Sequence, residues 1–481
     1  MLTGGNGPAR AGVWIGMTRH FCVRWMVAAS LVAAGCSSTG EADGGRVVVS
    51  VAAADTPSSA LPTSTVSTST PTPVAASVAG AAELANVQPE VTAGPSNGLL
   101  KARLSSPVTI RIGSDNLALD EVGFQRWRLD RSLAAGTAGQ FVAVDGSSLR
   151  WYLDGEVTAE MTVPAGLTPV AASLDGNTIA LTEAVDSSPA SWPDGVIGPS
   201  QTSSTVVVAN RSAPDDVRTF RLTGNFRPEA LANFWVDGDV PWPASVFVLE
   251  YLPAVAPTHY RVRVMDTATG EIGLPLNLRD KSQIVDEQMN GISRTQVMSR
   301  NNGLLFTLYQ GTDASGPYAF IHTLGLINGV WCIDLPAESG LASPGTTGVL
   351  ALSPDESMLY VAASNGYLAE LSTDVYDGLT VRRSVRVALP QTERPALAVS
   401  DTSIYFGTGD SIVELDRKSF EVTRHTEIAG PVAAFAADRT DGHLTAASPA
   451  AFYEFDGDLN PVAEVRPQVG GANIGSLLLD A

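Results

Sequence analysis

His259, His322, His425 and His443 are the side chains past residue 35 best suited to ligate a transition metal, but they stand far apart. No HExxH, close histidine pair or neighbouring carboxylate at ligand spacing accompanies them. The chain also lacks S-x-x-K, a P-loop and G-x-G-x-x-G, so local sequence supports neither nucleophilic hydrolysis of that type nor nucleotide binding. Two acidic segments hold oxygen ligands at alternate positions: Asp456, Asp458 and Asn460 in FDGDLNP (455–461), and Asp237 and Asp239 in VDGDVPW (236–242). That spacing suits calcium, but Asp-Gly is also common hairpin chemistry and neither segment is followed by the distant Glu of an EF-hand. We read both as turns, with calcium as the alternative, and assign no catalytic residue, no metal ligand and no cofactor.

Charge narrows the partners. Fifty acidic against 30 basic residues in 481 give a formal net charge of −20, which repels a phosphate backbone and argues against nucleic-acid binding. Of the three cysteines, Cys22 and Cys36 sit near the N-terminus, and if Cys22 leaves with a leader and Cys36 carries lipid, as read below, Cys332 in NGVWCIDLP (328–336) is left without a partner for an intramolecular disulfide. Between Trp331 and Ile333 in a strand-like run, Cys332 reads as a small buried apolar residue, with a reactive or intermolecular thiol as the alternative.

Arg19 and Arg24 precede WMVAASLVAAG (25–35), an apolar run of eleven residues that ends in small side chains. This is the layout of a secretory signal peptide and is too short for a permanent membrane span. LVAAGCSSTG (31–40) resembles the lipobox of bacterial lipoproteins through Ala34, Gly35 and Cys36, with Ala33 where that family more often has Leu. The resemblance implies diacylglycerol on Cys36, palmitate among its acyl chains, and retention on the outer face of the cell membrane. The alternative is an ordinary cysteine just past an anchor. Met17 gives a leader of ordinary length, which makes residues 1–16 a start-site misassignment on this reading. Loss of Arg10, Arg19 and Arg24 with residues 1–35 takes the net charge from −20 to −23, so the remainder stands off from an anionic membrane.

The elements that would position any site begin after a spacer. Residues 52–80 contain only Asp55, Leu61, Val66, Val74 and Val78 outside Ser, Thr, Pro, Ala and Gly. Such a stretch buries too little apolar surface to offset its ordering entropy. We read 36–100 as a disordered tether with a reach of about 40 Å, 1–35 as the signal peptide and 101–481 as the folded domain.

From about residue 139 the chain alternates short β-rich runs with Gly, Asp and Asn turns. In GVLALSPDESMLYVAASNGYLAEL (348–371), three strand candidates are separated by Pro354–Ser357 and Asn365-Gly366, and TVRRSVRVAL (380–389) supplies a fourth. The plan recurs at 395–428 and 431–466, and an earlier copy occupies 168–224. Four short strands every 40 to 50 residues or so are the signature of propeller blades. The chain resembles the WD40-like and YVTN-like β-propellers of bacterial exported proteins, most closely in SPDESMLYVAASNG (353–366), where Glu356 replaces a Gly and no Trp-Asp pair follows.

The units near 140–163, 168–224, 228–276, 294–336, 347–389, 395–428 and 431–466 number seven. The first lacks an inner strand, and IGSLLLDA (474–481) is a strand without a unit. We therefore expect an all-β, seven-bladed propeller in which 474–481 completes the unit at 140–164, and TIRIGSDNLALDEVGFQRWRLD (109–130) packs beside the ring. Eight blades is the alternative. Aromatic residues in 150–155, 232–242 and 309–320 are expected to pack between blades, with a sugar- or peptide-binding funnel as the other reading. The loops 186–201 and 236–244, each with Trp beside Pro, are candidates for recognition.

These features point to a lipid-anchored, extracytoplasmic, non-enzymatic binding or scaffold protein of the cell envelope. Its partners would be the membrane through Cys36 and an envelope protein, peptide or wall polymer. The alternative, implied by propeller enzymes, is a lactonase-like hydrolase or lyase with metal ligands drawn from several blades.

Overall fold

Carboxylate-capped turns set the spacing of the strands. In SLDGN (173–177), Ser173 Oγ donates to Asp175 Oδ1 at 2.5 Å and accepts the Thr178 N–H at 2.9 Å. SPDES (353–357) repeats the device: Ser353 Oγ donates to Asp355 at 2.5 Å and accepts from the Met358 N–H at 3.0 Å. Hydrogen bonds from Ser353 and Ser357 hold the Asp355 carboxyl down at about 2. The fourth residue of the turn needs a left-handed backbone. Gly176 adopts it at φ 71°, and Glu356 adopts it at φ 57° in place of glycine. Ser299 Oγ donates to the Glu356 carboxylate at 2.9 Å and Thr373 Oγ1 to its carbonyl at 2.8 Å, which hold the strained residue in position.

The computed structural model describes Asn86–Val87 and most of residues 100–479; the longer excluded stretches are 185–191, 233–244, 277–288, 438–442 and 468–473. For Asn86–Val87 and Ile474–Leu479 the backbone alone is described. Eight antiparallel four-stranded sheets follow one another along the chain, one of them extended by a fifth strand. Blade 1 holds Val108–Ile112, Asp115–Leu119 and Gln125–Leu129, with Ile474–Leu479 as its inner strand. Blade 2 runs from Leu133–Ala134 to Glu156–Thr162, blade 3 from Leu167–Ala172 to Arg218–Thr223, and blade 4 from Asn225–Leu231 to Ile272–Pro275. Blade 5 spans Ile292–Ser299 to Gly329–Asp334, blade 6 Gly348–Leu352 to Val381–Val387, blade 7 Pro395–Val399 to Val422–Glu427, and blade 8 Ala434–Ala437 to Pro461–Val465.

Eight blades, not seven, correct our expectation. The C-terminal strand does close the ring, but it pairs with Val108–Ile112, in a register that sets Leu479 against Val108 and Leu477 against Ile110. The segment 109–130 is therefore a blade and not an appendage. The unit at 140–164 draws its inner strand from Leu133–Ala134, only two residues long and too short to show a period.

Apolar layers join successive blades. One cluster packs Phe306, Leu308 and Ile321 of blade 5 against Leu359, Val361 and Tyr367 of blade 6. Another seats Val108, Ile110 and Leu117 of blade 1 on Ala447 and Phe452 of blade 8. Outside the ring, Asn86–Val87 pairs in parallel with Arg386–Val387 at the edge of blade 6. Lys101 bonds through both its backbone groups to the outer strand of blade 8. Both contacts cover an edge that would otherwise offer unpaired backbone groups. Cys36, the leader and most of the expected tether lie outside the described residues. Among the described residues, no helix is long and apolar enough to cross a membrane.

Candidate functional site

Strands alternate in direction within a blade, so the starts of inner strands and the ends of second strands emerge on one face. On that face a cavity of about 860 Å³ opens among blades 1 to 5. Thr168, Arg227 and Ile292 enter it from inner strands, and Glu183, Tyr251 and Tyr309 from second strands. This volume lies within the range of small-molecule sites.

Loop 192–201 forms part of the rim and is secured to the next blade. The Ile197 N–H donates to Pro257 O at 2.8 Å and the Gln201 N–H to Ala254 O at 3.0 Å. Asn225 Nδ2 donates to Pro199 O at 2.6 Å and to Ala254 O at 3.1 Å. A Cβ on Gly198 would lie 2.8 Å from the Tyr251 ring, so only glycine lets the loop pass this closely. Trp192 and Ile197 of this loop line the cavity, which places the described part of recognition-loop candidate 186–201 at the site; its residues 186–191 and 194 lie outside the described residues.

Arg131 and Ser132 occupy the corner between blades 1 and 2. Arg131 has φ 48°, and its N–H donates to Asp115 Oδ1 at 3.0 Å. Asn116 Nδ2 donates to Ser132 Oγ at 2.9 Å. Blade 1 thereby fixes the backbone that carries the Arg131 side chain to the cavity wall.

The two carboxylates on the wall differ. Glu183 is satisfied by the Thr205 hydroxyl at 2.5 Å and the Thr205 N–H at 3.1 Å. Glu229 is deeply set but open to the cavity, and it accepts a hydrogen bond from Gln296 Nε2 of the next blade. Burial pushes the Glu229 carboxyl up to about 6, with Arg227 and Gln296 acting in the opposite sense. Burial also pushes Tyr251 up to about 12. A carboxyl that changes charge near neutrality inside a cleft is a functional-site signature.

The sign of that shift predicts a stability change. Glu229 binds its proton more tightly folded than unfolded, so its contribution falls as pH rises from about 4.5 to about 6 and stays reduced above. Glu229→Gln should therefore raise the melting temperature at pH 8, by up to about 2 kcal/mol in stability, and leave it nearly unchanged at pH 4. Equal effects in melts at both pH values would refute the assignment.

The other chemistry-bearing residues, the histidines and Cys332, are not among the described lining of the cavity. His322 is buried between blades 4 and 5, 5.9 Å from the Tyr309 ring, and burial lowers it to about 4. His425 is buried in blade 7, and His443 Nδ1 lies 3.2 Å from Glu454 Oε1. His259 begins the third strand of blade 4. Among the described residues, no three His, Cys, Asp or Glu side chains gather as metal ligands. Cys332 is partly buried in an apolar cluster, its Sγ 4.0 Å from Met289 Sδ.

In FDGDLNP, Asp456 Oδ1 accepts the Asp458 and Asn460 N–H groups at 3.0 and 2.9 Å, and Asp458 pairs with Arg424 at 2.9 Å. This is the turn reading. VDGDVPW and the loop 236–244 lie outside the described residues. Trp151 is buried and donates to Gly176 O at 2.9 Å, while Tyr309 stacks on Phe320 with ring centroids 5.3 Å apart. Aromatic residues of 150–155 and 309–320 thus pack within and between blades, and Tyr309 also reaches the cavity.

Arg111, Arg131, Arg227 and Glu229 were not identified as site residues from sequence, since they come from separate segments. One signal was present. The inner strands PALAV (395–399) and GVLAL (348–352) are apolar, whereas NFRPEAL (225–231) sets Arg227 and Glu229 on one face.

No family model and no curated protein matches the chain. Similar solved structures include the dihydro-heme d1 dehydrogenase NirN in complex with DHE, at 13% identity and TM-score 0.42, covering 79% of this chain and 72% of that one. AztD from Citrobacter koseri, in its apo form, has 16% identity and TM-score 0.34 over 68% of this chain and 95% of its own. The β-propeller domain of Myceliophteria thermophila Cps50 (Swd1) has 11% identity and TM-score 0.36 over 71% and 96%. Likenesses this distant transfer no ligand or activity. By its own strand order the chain is an eight-bladed β-propeller.

Proposed function

We propose that this chain is a binding protein of the cell envelope, a propeller carried on a tether and held at the outer membrane face by lipid on Cys36. The observation that supports a binding role is the cavity itself. Its wall draws arginine and aromatic side chains from separate blades, and its lining serines, Ser114, Ser132 and Ser293, have no histidine among the described lining residues to act as a base. A large negative charge suits a protein that must remain dispersed in an exported layer.

The test is a thermal-shift screen of the full chain against envelope polysaccharide fragments and peptides, alongside turnover assays on lactones and esters with and without chelator. Saturable stabilisation without turnover is the expected result, and chelator-sensitive turnover would overturn the reading. For the anchor, Cys36→Ala should move the protein from the membrane fraction to the medium or to an unprocessed precursor. Unchanged detergent partitioning of that variant would refute lipidation.

A further inference from the structure

Several arginines elsewhere in the ring are paired, while the guanidiniums of the exposed Arg126, Arg221 and Arg300 make no hydrogen bond or ion pair to a described residue. Arg261 and Arg263 share Glu250, Arg383 holds Glu370, Arg424 holds Glu414, and Arg218 holds Asp216. Arg131 and Arg227 each line the cavity, and neither guanidinium makes a hydrogen bond or ion pair to another described residue. Acids outnumber bases by 20 in this chain, so carboxylate partners are abundant. Arg131 at the corner of blades 1 and 2 and Arg227 in blade 4 thus bring to one cavity guanidinium donors that no described residue takes, an arrangement that an incoming group would complete.

We propose that the cavity binds the oxyanion of a small ligand, a carboxylate or a phosphate ester, through Arg131 and Arg227. A guanidinium presents a rigid fork of donors that matches either oxyanion in two parallel bonds. The remaining wall suits a ligand with a larger body. Trp192, Ile197 and Tyr251 offer apolar and aromatic surface, and Gln296 offers an amide. The site rests on the reading of the chain as a binding protein and adds the ligand class.

Glu229 couples the site to pH. The groups that interact with it are Arg227 on its own strand, Tyr251 on the neighbouring strand, and Gln296 and Tyr309 on blade 5; Glu183, Arg111 and Arg131 are the other charged residues of the described cavity lining. Ionised Glu229 places a negative charge beside the incoming oxyanion, whereas the protonated carboxyl does not. Affinity should therefore fall as pH rises through the titration of this group.

The probes are glucuronate and glucose 6-phosphate, with glucose as the neutral control, titrated calorimetrically into the full chain. At least one oxyanion should bind saturably and glucose should not; which one binds separates a carboxylate from a phosphate ligand. Arg131→Met and Arg227→Met should each weaken binding tenfold or more. Arg126→Met, at an exposed position of blade 1 outside the cavity, should bind as the parent does. With glucuronate, whose carboxylate stays ionised across the range, affinity should decline between pH 5 and pH 7.5 in the parent and stay level in Glu229→Gln. With glucose 6-phosphate, whose second ionisation falls at about pH 6, the ratio of the two proteins' affinities is the readout; loss of folding cannot mimic either. Absence of binding by both oxyanions, or equal affinity in the Arg131→Met/Arg227→Met double variant, would overturn the proposal. A neutral polysaccharide or peptide that stabilises the chain when both oxyanions fail would leave the binding function standing and remove only this ligand class.

Discussion

Deleting residues 474–481 should destabilise the domain by about 5 kcal/mol or more, comparable to the whole stability of many folded domains. Strand Ile474–Leu479 is the inner strand of blade 1 and pairs with Val108–Ile112, the earliest described strand of the ring. Without it, Val108–Ile112 becomes an unpaired edge beside the central channel. Val108 and Ile110 are each 1% exposed and belong to the cluster that seats blade 1 on blade 8. Opening that seam exposes apolar side chains at about 1.5–3 kcal/mol each and leaves a row of backbone groups without partners. Removing only Asp480 and Ala481, beyond the paired strand, should have no effect. A synthetic peptide spanning 470–481, added in trans, should restore part of the lost melting temperature. If the truncated chain melts with the parent, the closure is wrong.

Arg383→Ala should cost about 2–4 kcal/mol, because it breaks a network across the seam of blades 6 and 7. Arg383 donates to both oxygens of Glu370, at 3.1 and 2.8 Å, to Arg417 O at 2.5 Å and to Lys418 O. Its guanidinium lies 4.0 Å from the Phe420 ring centroid. Glu370 is buried, and among the described residues its only other side-chain hydrogen bond is from the Tyr360 hydroxyl at 2.8 Å. Truncating the arginine leaves a buried carboxylate short of donors, removes the donors to the Arg417 and Lys418 carbonyls, and uncovers Phe420. Replacing both members, as Glu370→Met/Arg383→Met, should recover much of the loss, since the uncompensated charge is then gone. Denaturant midpoints of the single and double variants provide the check. A single-variant loss below about 0.5 kcal/mol, the range of an exposed pair, would contradict the assigned network.

The same device recurs in neighbouring blades, and the sequence reveals it. The third strands YLAELS, SIVELD and FYEF each carry one glutamate, Glu370, Glu414 and Glu454, flanked on both sides by apolar residues. In the fold all three are buried, and each takes a hydroxyl donor: Tyr360, Ser403 and Ser105. Ser105 precedes the ring and reaches Glu454 from 349 residues away in sequence. A repeat could show that the glutamate belongs to the blade, but not which donor each copy would find.

Blade periodicity, turn chemistry and the closing role of the last strand were legible because they depend on local patterns: alternation every second residue, carboxylates that cap turns, and an orphan apolar run near the C-terminus. The blade count was not. It depended on whether 109–130 or 140–164 received that run, a choice made by cross-strand register between residues more than 360 positions apart and by an inner strand of two residues.

The cavity was illegible for a related reason. Arg131 lies about 95 residues before Arg227 and Glu229, and although the charges in NFRPEAL marked one strand, only closure of the ring brings these segments to one face. Sequence by itself determined the repeating β unit, because each unit's hydrogen bonds and turns are satisfied within about 50 residues. Tertiary structure alone decided how many units close the ring and which charges face its opening, because both depend on packing between blades that sequence neighbours do not share.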